Sequence, residues 1–157
     1  MKSELVIINR MLFMVMIFTM LFCVNAFAAV DTNALNNEML HNINDLRSSL
    51  GLQALKIDSS LISIANIRSD EASENWSHTR PNGEQGSEMI APDRWRGENL
   101  SKVTGTENVS EAAEYMFGQL VESPAHYDNM VFDQYTRIGI SSYVKNGNIT
   151  VAYMFSS

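Results

Sequence analysis

Two alternating stretches joined by a short turn near the end of the sequence restrict the possible folds more than any other feature. "RIGISSYV" and "NITVAYMF" alternate as strands with one buried face do. Between them lies "KNGN", and Asn-Gly is the strongest short signal for a hairpin turn. The pattern predicts an antiparallel hairpin. One face should carry Ile149, Val151, Tyr153 and Phe155.

Two stretches of helical periodicity come early in the chain. The first begins near Ala34 and ends at Gly51, a residue type common just past a helix. The second follows "LQALKID", a short extended connection, and Asp58 has the right type and position to cap it. The predicted buried stripes are Leu35, Met39, Ile43, Leu46 and Leu50 in the first helix, and Leu61, Ile64, Ala65, Arg68, Ala72 and Trp76 in the second.

A third helix is expected to start at Asn108 or Ser110 and to stop at Pro124, leaving His126 on a turn just beyond it. Its buried residues should be Ala113, Met116, Phe117, Leu120 and Val121. Between the second and third helices lies a loop rich in proline and glycine, and "NLSKV" could add a short strand to it. The order helix, helix, loop, helix, hairpin predicts one α+β domain from about residue 31.

The N-terminal segment resembles a secretory signal. The run "MLFMVMIFTMLFCV" follows Lys2 and Arg10, is too short to span a bilayer as a helix, and precedes Ala26-Phe27-Ala28. We expect cleavage after Ala28, so that residues 1–28 are a signal peptide and residues 29–157 the mature domain. The alternative is an uncleaved membrane anchor.

Charge and cysteine usage narrow the possible functions. The chain carries a net charge of -7, which becomes -8 when Lys2, Arg10 and Glu4 are removed with the signal. Such a surface repels nucleic acid and anionic membranes, so neither is an expected partner, and no stable membrane insertion is expected after cleavage. Cys23 is the only cysteine. The mature domain therefore has no thiol nucleophile and no disulfide.

Three short polar islands stand out against this background: "WSHTR", "RGENL" and "SPAHYDNM". With "NDLRSSLGLQALKIDSSL" before them and "YTRIGI" after them, they resemble the CAP superfamily of cysteine-rich secretory, antigen 5 and pathogenesis-related proteins. The lack of cysteine makes the chain similar to compact bacterial members. The resemblance implies an α-β-α sandwich, in which helices cover both faces of a small antiparallel sheet.

The resemblance also implies a cleft lined by histidines and carboxylates. Residue by residue, it assigns His78, Glu98 and His126 to that cleft. Two imidazoles and a carboxylate resemble an open zinc site, so zinc is the candidate cofactor. The position of a second carboxylate falls on Gln119 or Ser123, with Glu122 between them.

Simpler structural roles remain for these and other polar residues. The two histidines could be held by hydrogen bonds with Glu98 and loop backbone, and Asn99 is expected to bond nearby backbone. Arg47 and Arg68 are expected to lay their stems on the core and to pair with a carboxylate such as Asp58 or Asp70. Other residues are expected to pack or to lie at the surface: Trp76 in the core, Tyr135 and Arg137 beside the first hairpin strand, and His41 on the surface. Trp76 and Trp95 could instead grip an apolar or sugar ligand.

The favoured function is a secreted module that binds an extracellular ligand or protein through the His/Glu cleft. The alternative class is a metal-assisted hydrolase built on His78, His126 and Glu98. The resemblance also allows lipid or sterol binding. Ser77 adjoins His78 but lacks the strand-turn-helix elbow of serine hydrolases, so binding is preferred over catalysis.

Overall fold

A computed structural model describes residues 30–106 and 108–157. The predicted signal peptide and its cleavage site lie outside the described residues. In chain order the elements are α1 (Thr32–Ser49), β1 (Lys56–Ile57), α2 (Ser59–Glu74), a short 3-10 helix (Gly86–Met89), β2 (Arg96–Thr104), α3 (Val109–Glu122), α4 (Pro124–Val131), β3 (Arg137–Lys145) and β4 (Asn148–Ser156).

The four strands form one sheet in the order β1-β3-β4-β2. β4 pairs antiparallel with both β3 and β2. The sheet is nevertheless mixed, and not wholly antiparallel as expected, because β1 pairs parallel with β3 through Lys56 and Ile57. A strand of two residues is too short to show an alternating pattern in the sequence. β2 and β1 form the two edges of the sheet.

The hairpin between β3 and β4 is confirmed. Asn146 has φ 51° and Gly147 has φ 73°. Positive φ at both central positions defines the type I′ turn, whose twist matches that of antiparallel strands.

The sheet lies between two helical layers, which confirms the predicted sandwich. The odd-numbered residues of β4 from Ile149 to Phe155 join a large apolar core with α1, α3 and α4. Ala152 and Met154 point to the opposite face and pack with Leu61 and Ala65 of α2. Alternation along one central strand therefore divides the core in two.

The predicted start of α2 and the predicted end of α1, each based on a single residue, are confirmed. Asp58 caps α2 by accepting hydrogen bonds from the Ser60 and Leu61 backbone amides. Gly51, with φ 72°, ends α1, and the Leu52 amide donates to the Arg47 carbonyl as in a Schellman motif.

Two expectations for the helical layer need correction. Pro124 does not leave His126 on an isolated turn, because it occupies the first turn of α4, where its fixed φ suits a helix start. Trp76 lies beyond α2, which ends at Glu74, and 45% of its surface is exposed. Leu50 and Val121 are likewise exposed rather than buried.

β2 is longer than the sequence suggested, and this matters for the site. It spans nine residues, so that it begins before Asn99, the first residue of "NLSKV", and includes Glu98, which the sequence placed near the end of a loop. Successive side chains of a strand point to opposite faces, so the two residues serve different helical layers. In the part of the chain that the structure describes, no helix is both long and apolar enough to cross a bilayer.

Candidate functional site

The site is built around the buried carboxylate of Glu98, on the face of β2 that α2 covers. Its Oε2 accepts a hydrogen bond from Arg68 Nε at 2.6 Å, and its Oε1 lies 2.8 Å from His78 Nδ1. Arg68 Nη2 also approaches Oε1, at 3.3 Å. An ionised carboxylate only accepts hydrogen bonds, so His78 donates through Nδ1 and keeps the lone pair of Nε2 available.

Arg68 holds this cluster together from α2. Its side chain is only 1% exposed, and it also donates to Glu71 Oε2 at 2.5 Å and to the Ser77 carbonyl at 2.8 Å. Burial lowers the pKa of Arg68, but its hydrogen bonds to Glu98 and Glu71 outweigh burial, and the pKa ends above its usual value. One guanidinium therefore bridges two carboxylates and fixes the segment that carries His78.

The loop after His78 is anchored to the same cluster. Arg80 Nη2 donates to Glu71 Oε1 at 2.9 Å, and the Gly86 amide donates to the His78 carbonyl at 2.8 Å. A Cβ at Gly86 would overlap the carboxylate of Glu98, so only glycine allows the loop to pass this close. Hydrogen bonds to the Ser77 carbonyl and to the His78 carbonyl therefore fix the backbone that carries the His78 side chain.

His126 reaches the site from the other helical layer, in the first turn of α4. Asn99 Nδ2 donates to its carbonyl at 2.8 Å, and Asn129 Nδ2 donates to Asn99 Oδ1 at 2.9 Å. Its ring centroid lies 5.8 Å from that of His78, with the rings tilted by 54°. Burial, together with the nearby His78, lowers the pKa of His126. A largely neutral imidazole therefore stands beside the half-exposed ring of His78.

The structure thus brings together His78, Glu98 and His126, and supports them with Asn99. It does not add a second carboxylate. Among residues 30–106 and 108–157, no group of three or more His, Cys, Asp or Glu side chains is arranged to hold a metal ion, so Glu122 does not complete a ligand set. Gln119 is partly buried on α3, and Ser123 forms the junction between α3 and α4.

The donor set therefore differs from the three-ligand zinc site implied by the family resemblance. The oxygens of Glu98 already accept from Arg68 and His78, which makes this carboxylate a partner of His78 rather than a free ligand. A histidine that binds metal commonly donates its other N–H to such a carboxylate. The two imidazoles, and not Glu98, are the groups chemically suited to take an ion.

Several expected partners of the polar residues were wrong. Arg68 pairs with Glu98 and Glu71 rather than Asp58 or Asp70, and Asp58 pairs with Arg137 instead. Arg47 bonds backbone carbonyls. The other residues singled out in the sequence lie as follows: Tyr135 is buried, Trp95 is exposed, and His41 lies at the surface beside Asp45.

Sequence reasoning missed the supporting roles of Glu71, Arg80 and Asn129. Asn129 could have been noticed, because it belongs to the quoted island "SPAHYDNM". Glu71 lies three residues after Arg68, a spacing that brings helical side chains together. The contact of Arg80 with Glu71 depends on how the loop folds back, and no local pattern indicates it.

The lowered pKa of His126 predicts how stability changes with pH. The unfolded chain takes up a proton on this imidazole near pH 6.5, whereas the folded chain resists it until lower pH. This contribution to the free energy of unfolding is therefore present above about pH 6.5 and lost as the pH falls through the folded pKa. Urea titrations at pH 5 to 8 should show a smaller acid loss in His126→Asn than in the wild type. The surface variant His41→Asn should keep the wild-type profile; an unchanged profile in His126→Asn would contradict the assignment.

The fold, a four-stranded sheet between two helical layers, is that of a CAP domain. A sequence model described as CAP, the cysteine-rich secretory protein family, matches residues 40–155, and the chain belongs to this family. No curated protein matches the chain.

Solved structures show the same fold at low identity. An outer surface protein from Borrelia burgdorferi has a TM-score of 0.65 and 20% identity, covering 82% of this chain and 96% of its own. A protein from Bacillus anthracis, described as extracellular and containing an SCP domain, has a TM-score of 0.59 and 21% identity, covering 78% of this chain but only 40% of its own. NaASP2, solved with Zn²⁺, has a TM-score of 0.57 and 16% identity, covering 82% of this chain and 80% of its own.

Proposed function

We propose that this chain is an extracellular binding module whose cleft is the surface presented by His78 and His126. The observation that carries the proposal is the state of Glu98, whose carboxylate is buried and accepts hydrogen bonds from both Arg68 and His78. The cluster holds the His78 imidazole in place, Asn99 bonds the backbone carbonyl of His126 beside it, and the two rings together form the surface offered to a ligand. Membership of the CAP family, and the extracellular description of the Bacillus anthracis protein, support the location.

The same observation favours binding over hydrolysis. A general base must reach the proton that it removes, directly or through one water. Glu98 is enclosed between Arg68 and His78, and both of its oxygens already accept hydrogen bonds from these two side chains, so it is not placed to take a proton from a substrate. The imidazoles are the accessible groups, and they serve as well for ligand recognition as for acid-base chemistry.

A divalent cation is the first ligand to test. Imidazole suits zinc, and donation from His78 Nδ1 to Glu98 leaves Nε2 as the coordinating atom. His126 would supply the second nitrogen, and its lowered pKa keeps that nitrogen unprotonated near neutral pH. The related fold of NaASP2 was solved with Zn²⁺. A bound ion would add a Lewis acid to the cleft.

Zinc titration calorimetry of the purified protein at pH 7.5 tests this. We expect saturable binding that weakens at least about tenfold, or about 1.4 kcal/mol, in His78→Ala and in His126→Ala, because each removes one nitrogen ligand. The chain offers a matched control, since its three histidines include the surface residue His41. His41→Ala should bind as the wild type does.

The outcomes separate the proposal from its rivals. Equal binding by wild type and both cleft variants would rule out zinc at this site. Parallel losses in all three variants would point to a nonspecific surface effect. Glu98→Gln should weaken zinc less than the histidine variants, because Glu98 acts through His78 rather than on the ion.

A further inference from the structure

A second groove lies beside the histidine cleft, where the end of α2 meets the turn of the hairpin. It encloses about 500 Å³ and is lined by Trp76, Glu74, Lys102, Lys145, Asn146 and Asn148, among others. Trp76 is two residues from His78, and Lys102 follows Glu98 by four residues on β2, on the same face of the strand. The groove therefore continues the surface of the cleft along β2.

Trp76 forms an aromatic wall of this groove. α2 ends at Glu74, and the extended cap residue Asn75 carries the indole away from the buried stripe of the helix. Lys102 Nζ lies 4.5 Å from the ring centroid, a cation-π contact that fixes the ring over β2. Nearly half of Trp76 stays exposed, so the ring keeps an apolar surface open to solvent.

The remaining walls are polar and bear charges of both signs. Lys145 pairs with Glu74 across the groove, and Asn146 and Asn148 lie on or beside the hairpin turn. Lys102 and Lys145 are two of the three lysines between residues 30 and 157 of an otherwise acidic chain. An aromatic wall ringed by ammonium, carboxylate and amide groups matches a ligand with apolar ring faces and many hydroxyls.

We propose that this groove binds an oligosaccharide, with one pyranose ring stacked on Trp76 and its hydroxyls bonded to Lys102, Glu74 and the asparagines of the hairpin turn. The C–H groups on a pyranose face pack against the indole, and the equatorial hydroxyls reach the polar rim. The site differs from the histidine cleft in its residues and in its ligand chemistry. Its failure would leave the zinc proposal untouched, because His78 and His126 take no part in it.

Intrinsic fluorescence tests the proposal directly, because the chain contains only two tryptophans. Trp95 lies outside the groove, where it packs edge-on against Phe132, so Trp95→Phe leaves Trp76 as the only reporter. Titrating that variant with chitotetraose, a neutral sugar, and with tetragalacturonate, an acidic one, should change the emission saturably for at least one of them. A preference for the acidic sugar would assign recognition to the lysines, and a preference for the neutral sugar to the hydroxyl contacts.

Calorimetry with the same sugars compares the wild type with variants of the groove. Trp76→Ala should weaken binding at least about tenfold, Trp76→Phe less, and Lys102→Ala severalfold. Trp76 is exposed, so its replacement should leave the circular dichroism spectrum unchanged. His41→Ala, at an exposed position on α1 outside the groove, should bind the sugar as the wild type does. No response to either sugar, or equal binding by Trp76→Ala and wild type, would overturn the proposal.

Discussion

Replacing Arg68 with methionine is expected to lower the free energy of unfolding by about 3–5 kcal/mol, because removing one partner of a buried ion pair leaves the other charge uncompensated. In Arg68→Met the carboxylates of Glu98 and Glu71 would lose their shared guanidinium, and the Ser77 carbonyl would lose a donor. Urea denaturation followed by circular dichroism measures the loss. The His78 ring signals in an NMR spectrum should also shift, because Glu98 would no longer be held in place.

Two variants make this result specific. Arg80→Met removes another partner of Glu71, but Arg80 is partly exposed and Glu71 keeps its bond to Arg68, so the loss should be smaller than in Arg68→Met. Adding Glu98→Gln to Arg68→Met removes the orphaned charge, so the double variant should be more stable than the sum of the single effects predicts. Strict additivity of the two substitutions would refute direct coupling between Arg68 and Glu98.

Arg47→Met is the second substitution with a large expected effect. Arg47 is fully buried and donates to the carbonyls of Gln53, Met130, Phe132 and Tyr135 at 2.8–3.1 Å. These carbonyls lie after α1, in α4 and in the connection from α4 to β3. Each buried acceptor left without a donor costs about 1–3 kcal/mol, so the total loss should be at least about 3 kcal/mol. Urea denaturation gives the value.

Exposed and conservative variants check the explanation. Arg94→Met removes an exposed arginine that donates to a single Ser157 carbonyl, and should change stability little. Arg47→Lys keeps the charge but cannot match the fork of the guanidinium, so it should recover only part of the loss. Full recovery by lysine would show that charge, rather than the four directed hydrogen bonds, holds these segments.

The parts of the fold predicted correctly are those with local causes. The Asn-Gly turn, the cap at Asp58 and the stop at Gly51 each depend on the conformational preferences of one or two residues. The division of β4 between two core layers follows from its period of two. Such signals are complete within a few residues of the sequence.

The parts that were missed depend on contacts between distant segments. Arg68 pairs with Glu98, which lies thirty residues further along the chain on a strand that was predicted too short. Nearness in the sequence therefore could not identify this partner. Arg47 was expected beside a carboxylate, but four carbonyl dipoles take that role. In the sequence, Trp76 continues the helical stripe of α2, but the helix ends two residues before it.

In the histidine site, too, the sequence indicated the local features but not the contacts between distant segments. The three islands contained His78, Glu98 and His126, and the structure brings these residues together. The sequence could not show that Glu98 is already bonded by Arg68, and this contact changes Glu98 from a candidate ligand into the support of His78.

The position of β2 at one edge of the sheet has a consequence for solubility. An edge strand of nine residues offers unpaired backbone groups to which another chain could add and start aggregation. In this protein, the Asn129 side chain donates to the backbone carbonyl of Glu98 at 3.2 Å, and α4 lies against the strand beside it. The asparagine that supports the site therefore also covers part of an exposed edge, so substitutions at Asn129 should increase self-association.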